Sequence, residues 1–463
     1  MTRTDEIRNV AIIGHSGEGK TTLTEAILFN AGAIDRQGRV DDGNTVSDFE
    51  QEEIARKTSI SLTASRCEYT DRKGRHVTFN LLDVPGFFDY EGERSEALAA
   101  ADNALIVTGA GGTLTVGTEK AIEYCLKNKI PSILFINGLD KDNGNFVKTV
   151  HAIKEKYGNK IAPMIIPNMV DEKMKGFVKV AYGVLRDWER NEHPIPENLK
   201  ADYEEAHLAM CEAAAENDEG LLDKFFAEGD LSGDEIERGV KLGVKACTTI
   251  TVLGGSALKN QGIFNLMDKM VSTMLSPADA KPQKAFDDGK EVFIKPDANA
   301  PAAAHIFKTT VDPFVGRLNM FRVLTGTIKS GDMLIDGRTG ESQKIGAIYY
   351  LRGKKQIPAD EITAGDIGAF AKLGAVATGD VLSVSGKITA PPIEMPPAEY
   401  AMAIGSAKKG DEDKVFAGLK KIQEKCSLRA SAKLNCRCCA ENSKTNSAAT
   451  PCCPNPRLLT GRP

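Results

Sequence analysis

Gly14-His15-Ser16-Gly17-Glu18-Gly19-Lys20-Thr21-Thr22 follows a short apolar run, Val10-Ala11-Ile12-Ile13, that reads as a buried strand. It opens into Leu23-Thr24-Glu25-Ala26-Ile27-Leu28, which has helical spacing. A strand, a glycine loop and a helix in this order are the context in which G-x-x-x-x-G-K-[ST] predicts a phosphate site. The physical reason is that glycines at 14, 17 and 19 let the backbone curl. Successive N–H groups then point inward, where they and the helix N-terminus meet a polyphosphate. Lys20 is expected on the β- and γ-phosphates, and Thr21 is expected to offer its hydroxyl to Mg²⁺.

Outward from this loop, the first 140 residues alternate strand-like and helix-like segments, which predicts a mostly parallel sheet with helices on both faces. Residues 35–57 are polar, acidic and dotted with glycine, and read as a functional loop at the carboxyl edge of that sheet. The run Val77-Thr78-Phe79-Asn80-Leu81-Leu82 reads as a strand delivering Asp83-Val84-Pro85-Gly86 at its end. Two more buried strands follow, Ala104–Val107 and Ser132–Ile136, the second ending in Asn137-Gly138-Leu139-Asp140.

Each of these strand ends carries a chemistry. D-x-x-G is a weak signal alone and a strong one at a strand end about 60 residues after the phosphate-loop lysine. Asp83 is expected to hold a Mg²⁺-bound water, and Gly86 to offer its N–H to a γ-phosphate and register its loss. In N-x-x-D, Asp140 can accept two hydrogen bonds from the N1–H and N2–H₂ edge of guanine, which adenine lacks. An unpaired carboxylate is the penalty that rejects ATP. Asn137 is expected to tie this loop to the base or to the phosphate loop. Ser256-Ala257-Leu258 follows a strand at Thr249–Leu253 and could offer a backbone N–H to the guanine carbonyl, a signal worth little by itself.

Composition bounds the rest. At roughly 150 residues per domain, 463 residues predict about three domains, with 41% hydrophobic and 27% charged residues typical of a globular chain. A net charge of -5 gives no global basic footprint, which argues against free-standing DNA or RNA binding but allows docking on a ribonucleoprotein through local patches. The N-terminus is polar, without the apolar core of a signal peptide, and the longest uncharged stretch, Asn103 to Thr118, is too short and glycine-broken to span a bilayer. The expectation is a cytoplasmic protein with no membrane contact.

Residues 158–246 are rich in Asp, Glu and Lys, with helical stretches near Tyr203–Ala215 and Leu221–Ala227, and read as an insertion within a first domain at 1–280. Residues 281–300 read as a linker. Short strands with glycine turns over 301–392 predict an antiparallel β-barrel. A strand at Tyr400–Ile404 and a charged helix at Asp411–Lys425 read as the start of a partial α+β domain at 395–425.

In this order, with a barrel behind them, the motifs resemble the translational GTPases, most closely elongation factor G and its elongation-factor-G-like paralogues. Further stretches carry the likeness: Val46-Ser47-Asp48-Phe49 through Ile60, Gly254 through Asn260, Lys308-Thr309 through Gly316, and Lys408 through Lys414. The resemblance covers about residues 8 to 425 and implies an α/β P-loop GTPase domain, a barrel as second domain and the first strand and helix of a third. It implies GTP or GDP with Mg²⁺ as ligands, contacts from Gly14, His15, Ser16, Gly17, Glu18, Gly19, Lys20, Thr21 and Thr22 to phosphate, and guanine held by Asn137, Asp140, Ser256, Ala257 and Leu258. It implies a monomer acting on the ribosome, its rRNA and its proteins, hydrolysing GTP to move or split it, with Lys20 and Gly86 as the catalytic groups. A ribosomal-protection activity against tetracycline uses the same architecture and stays open.

Four departures from the family pattern matter. The Mg²⁺-binding threonine of the first switch loop aligns with Ser59, and serine keeps the hydroxyl. Phe87 stands where elongation factor G has a water-positioning histidine; phenylalanine cannot hydrogen-bond to water, so slow hydrolysis is expected, by roughly 10²–10⁴-fold. An aromatic residue there looks like the paralogue group. Gly138 replaces the lysine whose stem covers the base, which predicts guanine selectivity at weakened affinity. Last, residues 426–463 hold Cys426, Cys436, Cys438, Cys439, Cys452 and Cys453, with one acid and no aromatic residue, where the family continues into further domains. Three readings stand for this segment: a shifted frame or truncated gene model, a zinc site without the paired C-x-x-C knuckles of common sites, and a disordered tail.

Overall fold

The computed structural model describes residues 3–171, 173–189, 191–312, 316–374, 376–396 and 410–425. Its organising element is the strand Ile7–Gly14, whose apolar side chains are fully buried. Buried on both faces, such a run forms the middle of a parallel sheet. It pairs in parallel with His76–Asp83 on one side and Asn103–Gly109 on the other. The sheet extends in parallel through Ser132–Asn137, Ile250–Gly255 and the short Ile161–Pro163. Thr63–Thr70 adds one antiparallel strand beside His76–Asp83, and its Ser65 bridges in turn to Arg352 of the strand Ile348–Arg352. Helices cover both faces, as the alternation of the sequence predicts.

Pairing of Ile161–Pro163 with Ile250–Val252 puts residues 161–163 in the main sheet, so the inserted unit starts after Pro163 rather than at 158. It contains a four-stranded antiparallel sheet with the strands Ile165–Val170, Lys173–Lys179, Val184–Asp187 and Glu192–His193. Three helices complete it, Lys200–Ala215, Glu219–Glu228 and Gly233–Ala246. The third begins with a capping box in which Ser232 and Glu235 satisfy each other's backbone N–H groups. The linker reading of 281–300 needs correction. Gln283–Asp287 and Lys290–Ile294 form a hairpin that pairs further with Ile388–Thr389. Its charges alternate with Ala285, fully buried, so a segment that looks like solvated linker lies flat on the second unit.

That second unit is antiparallel. Ala303–Asp312 pairs with Gly316–Thr325, which pairs with Ile367–Ala371, around a core in which Phe321 and Phe370 stack with ring centroids 3.8 Å apart. The two units are joined by buried polar groups. Arg66 donates to both carboxylate oxygens of Asp366 at 2.9 and 2.8 Å, Asn80 donates to Asp366 at 2.7 Å, and Arg322 reaches Asp102 at 2.6 Å. Lys308 is buried against Glu93 and Glu96 of the helix Glu91–Ala100. Each charge is compensated, the condition under which buried ions are tolerated. Of the third unit, the helix Glu412–Lys425 is described. The expected strand Tyr400–Ile404 and residues 426–463 lie outside the described residues.

Candidate functional site

Three strand ends and one glycine loop converge at the carboxyl edge of the sheet. The loop after Ile7–Gly14 enters the helix Lys20–Asn30 through Gly19, whose φ of +88° only glycine adopts cheaply. A Cβ on Gly19 would also collide with the Asn137 amide. Asn137 ends its strand by donating from Nδ2 to the Glu18 carbonyl at 2.9 Å while its Oδ1 accepts the Ala257 N–H at 2.9 Å. One side chain thus joins the three segments that the sequence marks separately. Glu18 accepts from Thr115, Thr118 and the His15 N–H.

Lys20 is buried and donates from Nζ to the His15 carbonyl at 2.7 Å. Burial lowers its pKa, and the charges of Asp83, Glu18 and Asp48 oppose that shift. Gly86 packs directly on the loop. A Cβ there would run into Lys20 Nζ and come within 2.6 Å of the Ser16 nitrogen, so no side chain fits. The Thr21 and Ser59 hydroxyl oxygens lie 2.9 Å apart.

Beside that pair sit Asp83 and Asp48, 1% and 4% exposed, whose four carboxylate oxygens have no hydrogen-bond partner of normal geometry. Burial first, and the neighbouring charge of Asp83 second, pushes the Asp48 carboxyl up to about 7. Burial raises Asp83 to about 6. Two buried, orphaned carboxylates beside two hydroxyls form an all-oxygen donor set suited to a hard divalent cation. Adjacent ligands of an octahedral Mg²⁺ at about 2.0–2.1 Å are separated by roughly 2.9 Å. The residues therefore fit the Mg²⁺ that the loop chemistry calls for.

The sequence reading missed Asp48 and the residues that hold it there. Glu25, fully buried in the helix Lys20–Asn30, accepts the Gly38 N–H at 2.9 Å and the Val46 N–H at 2.5 Å. Glu53 of the short helix Gln51–Arg56 accepts the Ile60 and Ser61 N–H groups at 3.0 and 3.1 Å, which brings Ser59 to Thr21. Glu93 accepts the Leu62 N–H at 2.6 Å and also pairs with Lys308. The acidic loop is held by carboxylates bonding its backbone N–H groups, Glu53 of its own and Glu25 and Glu93 from flanking helices, and its acid-rich composition and its likeness to the family stretch marked the loop but not these partners.

Not every predicted residue meets its predicted neighbour. The N–H of Ala257 is taken by Asn137 and that of Ser256 by the Gln261 carbonyl at 3.0 Å, and the Ser256 hydroxyl accepts the Lys259 N–H at 3.0 Å. Both residues are fully buried, while Leu258 is exposed. Asp140 is half-buried at the rim. Gly138 has φ +85°, and the stem of Lys141 lies 3.4 Å from where its Cβ would be. Phe87 is 45% exposed, whereas Phe88 faces His15 at a centroid distance of 6.0 Å.

Residues 5–276 match the Elongation factor Tu GTP binding domain, and residues 301–385 match Elongation factor G domain 2. The chain belongs to the translational GTPases of the elongation factor G type. A crystal structure of a protein from Thermus thermophilus is similar over 91% of this chain, with 27% identity and a TM-score of 0.76. This chain spans 61% of the length of that protein. No helix among the described residues is long and apolar enough to cross a membrane.

Proposed function

We propose that this elongation factor G-type chain binds GTP with Mg²⁺ and hydrolyses it slowly by itself and faster on the ribosome, coupling hydrolysis to translocation or ribosome disassembly. It acts as a monomer in the cytoplasm, with rRNA and ribosomal proteins as partners. Its working parts are a nucleotide domain at 1–280, a barrel at 301–392 and the opening of a third domain at 395–425. The observation that carries the reading is the Thr21–Ser59 hydroxyl pair at 2.9 Å beside the orphaned carboxylates of Asp83 and Asp48.

The backbone from Gly14 to Thr22 and Lys20 hold the phosphates, and Gly86 directs its N–H to the terminal one. Asp140 reads the guanine edge, and Asn137 keeps base loop and phosphate loop in register. Of Ser256, Ala257 and Leu258, we assign the base contact to the N–H of exposed Leu258, because the other two N–H groups are spent internally. Thr21, Ser59 and, through water, Asp83 and Asp48 would hold Mg²⁺, which when bound would supply positive charge against the phosphates. Lys20 supplies the fixed cation. Phe87 offers no acceptor for a water proton, so the ordering of the attacking water falls to the ribosome.

A second reading, a nucleotide-dependent binding switch that hardly hydrolyses, is favoured by Phe87 and Gly138. The experiment that tests both is a titration with fluorescent GDP competed by GDP, GTP and ADP, followed by phosphate release with and without ribosomes. Competition by guanine nucleotides alone, lost in Lys20→Ala, supports the site. Equal competition by ADP refutes it. Ribosome-stimulated turnover rules out the switch.

A further inference from the structure

The inserted unit carries a cluster that the nucleotide site does not use. His207 and Cys211 stand one turn apart on the helix Lys200–Ala215, so both project from one face. Asp230 comes from the turn between the helices Glu219–Glu228 and Gly233–Ala246. One donor atom from each of the three lies within 4.8 Å of the others. His207 Nε2 is 2.8 Å from Asp230 Oδ1, and Cys211 Sγ is 3.5 Å from the same oxygen. Cys211 is 1% exposed, whereas the Asp230 side chain is 67% exposed, so the cluster opens to solvent on the carboxylate side.

The imidazole is oriented as in a ligand. Its Nδ1 lies 3.0 Å from the Val180 carbonyl oxygen. A carbonyl only accepts, so Nδ1 carries hydrogen; the Asp230 carboxylate also accepts, so Nε2 carries a proton in the metal-free cluster, and loss of that proton leaves the ring's lone pair on Nε2, facing Cys211 and Asp230. A carbonyl on the far nitrogen is the usual way a metal-binding histidine has its ring and tautomer fixed.

We propose that His207, Cys211 and Asp230 form a binding site for a divalent transition metal of the zinc class, with water as the fourth ligand. In a tetrahedral site with metal–sulfur near 2.3 Å and metal–oxygen near 2.0 Å, sulfur and oxygen stand roughly 3.5 Å apart. That matches the distance from Cys211 to Asp230. Nitrogen and oxygen ligands stand roughly 3.3 Å apart, so the His207–Asp230 pair must open by about 0.5 Å. The exposed Asp230 side chain can supply that movement. A mixed nitrogen, sulfur and oxygen donor set selects zinc-like ions over Mg²⁺ and Ca²⁺, which take oxygen. Binding is ligand exchange without oxidation. The Cys211 thiol proton and the proton between Nε2 and Asp230 leave to solvent as the metal takes the three lone pairs. The bound ion would tie the helix Lys200–Ala215 to the turn at 229–232.

The test uses the full chain with Cys426, Cys436, Cys438, Cys439, Cys452 and Cys453 all replaced by serine, so that the tail offers no thiolates. Titrated with Co²⁺ in excess Mg²⁺ to occupy the all-oxygen site at Asp48 and Asp83, this chain should bind one thiolate-ligated equivalent and show the near-ultraviolet thiolate-to-cobalt charge-transfer band with the visible bands of a four-coordinate site. Cys211→Ser should lose the charge-transfer band, and Zn²⁺ should displace the cobalt. His207→Gln and Asp230→Asn should each weaken binding at least about tenfold. Asp230 lies at an exposed turn, so Asp230→Asn keeps the test valid if replacing buried Cys211 disturbs folding. Absence of the thiolate band in the reference chain, its persistence in Cys211→Ser, or unchanged affinity in both His207→Gln and Asp230→Asn overturns the proposal and leaves a hydrogen-bonded His–Asp pair.

Discussion

Replacing Asp48 with asparagine should have effects of opposite sign on the fold and on the ligand. The carboxyl sits at about 7 in the fold against an ordinary value of 3.8, chiefly through burial and then through the charge of Asp83. A folded pKa raised above the unfolded one means that stability is greatest below the unfolded value and falls as pH rises through the folded value. The cost grows by about 1.4 kcal/mol per pH unit between about 4 and 7, and then levels off. Asp48 is 4% exposed, so little of this is screened. The whole penalty is about 4 kcal/mol, of which about 2 kcal/mol accrues between pH 5 and pH 7. Asp48→Asn removes it. In chelator and without nucleotide, the stability advantage of the variant over the parent should be about 2 kcal/mol at pH 5 and about 2–3 kcal/mol larger at pH 7.5, measured by urea unfolding. With GDP and Mg²⁺ the order should reverse, because the orphaned carboxylate then has its cation. An advantage that does not change between pH 5 and 7.5, or a variant that keeps full Mg²⁺-dependent GDP affinity, would refute the assignment of Asp48 to the cation site.

Three other outcomes follow from the same geometry. Lys308→Met leaves Glu93 and Glu96 buried without their cation, and should destabilise the chain by about 3–5 kcal/mol; a loss under about 1 kcal/mol in urea unfolding would mean that the carboxylates are protonated or rehydrated. Gly19→Ala forces a left-handed φ on alanine, at roughly 1–2 kcal/mol, and pushes a methyl group into Asn137. It should weaken GDP binding in the fluorescence titration, and unchanged affinity would show that Asn137 does not set the register of base and phosphate loops. Phe87→His changes an exposed side chain, so stability should hold within about 0.5 kcal/mol while ribosome-stimulated phosphate release rises. No rise would show that water is ordered without this position.

The local motifs were legible because their chemistry is built from contiguous backbone. The loop at 14–22, the turn at 83–86 and the loop at 137–140 each follow a buried strand, and apolar runs between glycine turns mark those strands in any sequence. The same periodicity marked the inserted helices and the short strands of the antiparallel second unit. Tertiary structure alone decided what the charged residues do. Glu25, Asp48, Glu53 and Glu93 read as solvated surface in a sequence, since acids are rarely buried. Their partners stand up to 215 residues away, as Lys308 does from Glu93. The hairpin at 283–294 was unreadable for the same reason, its exposed charges hiding one buried alanine and a partner strand at Ile388–Thr389. Periodicity reports which face of an element is apolar. Which carboxylate loses its water, and which cation replaces it, depends on where distant segments meet.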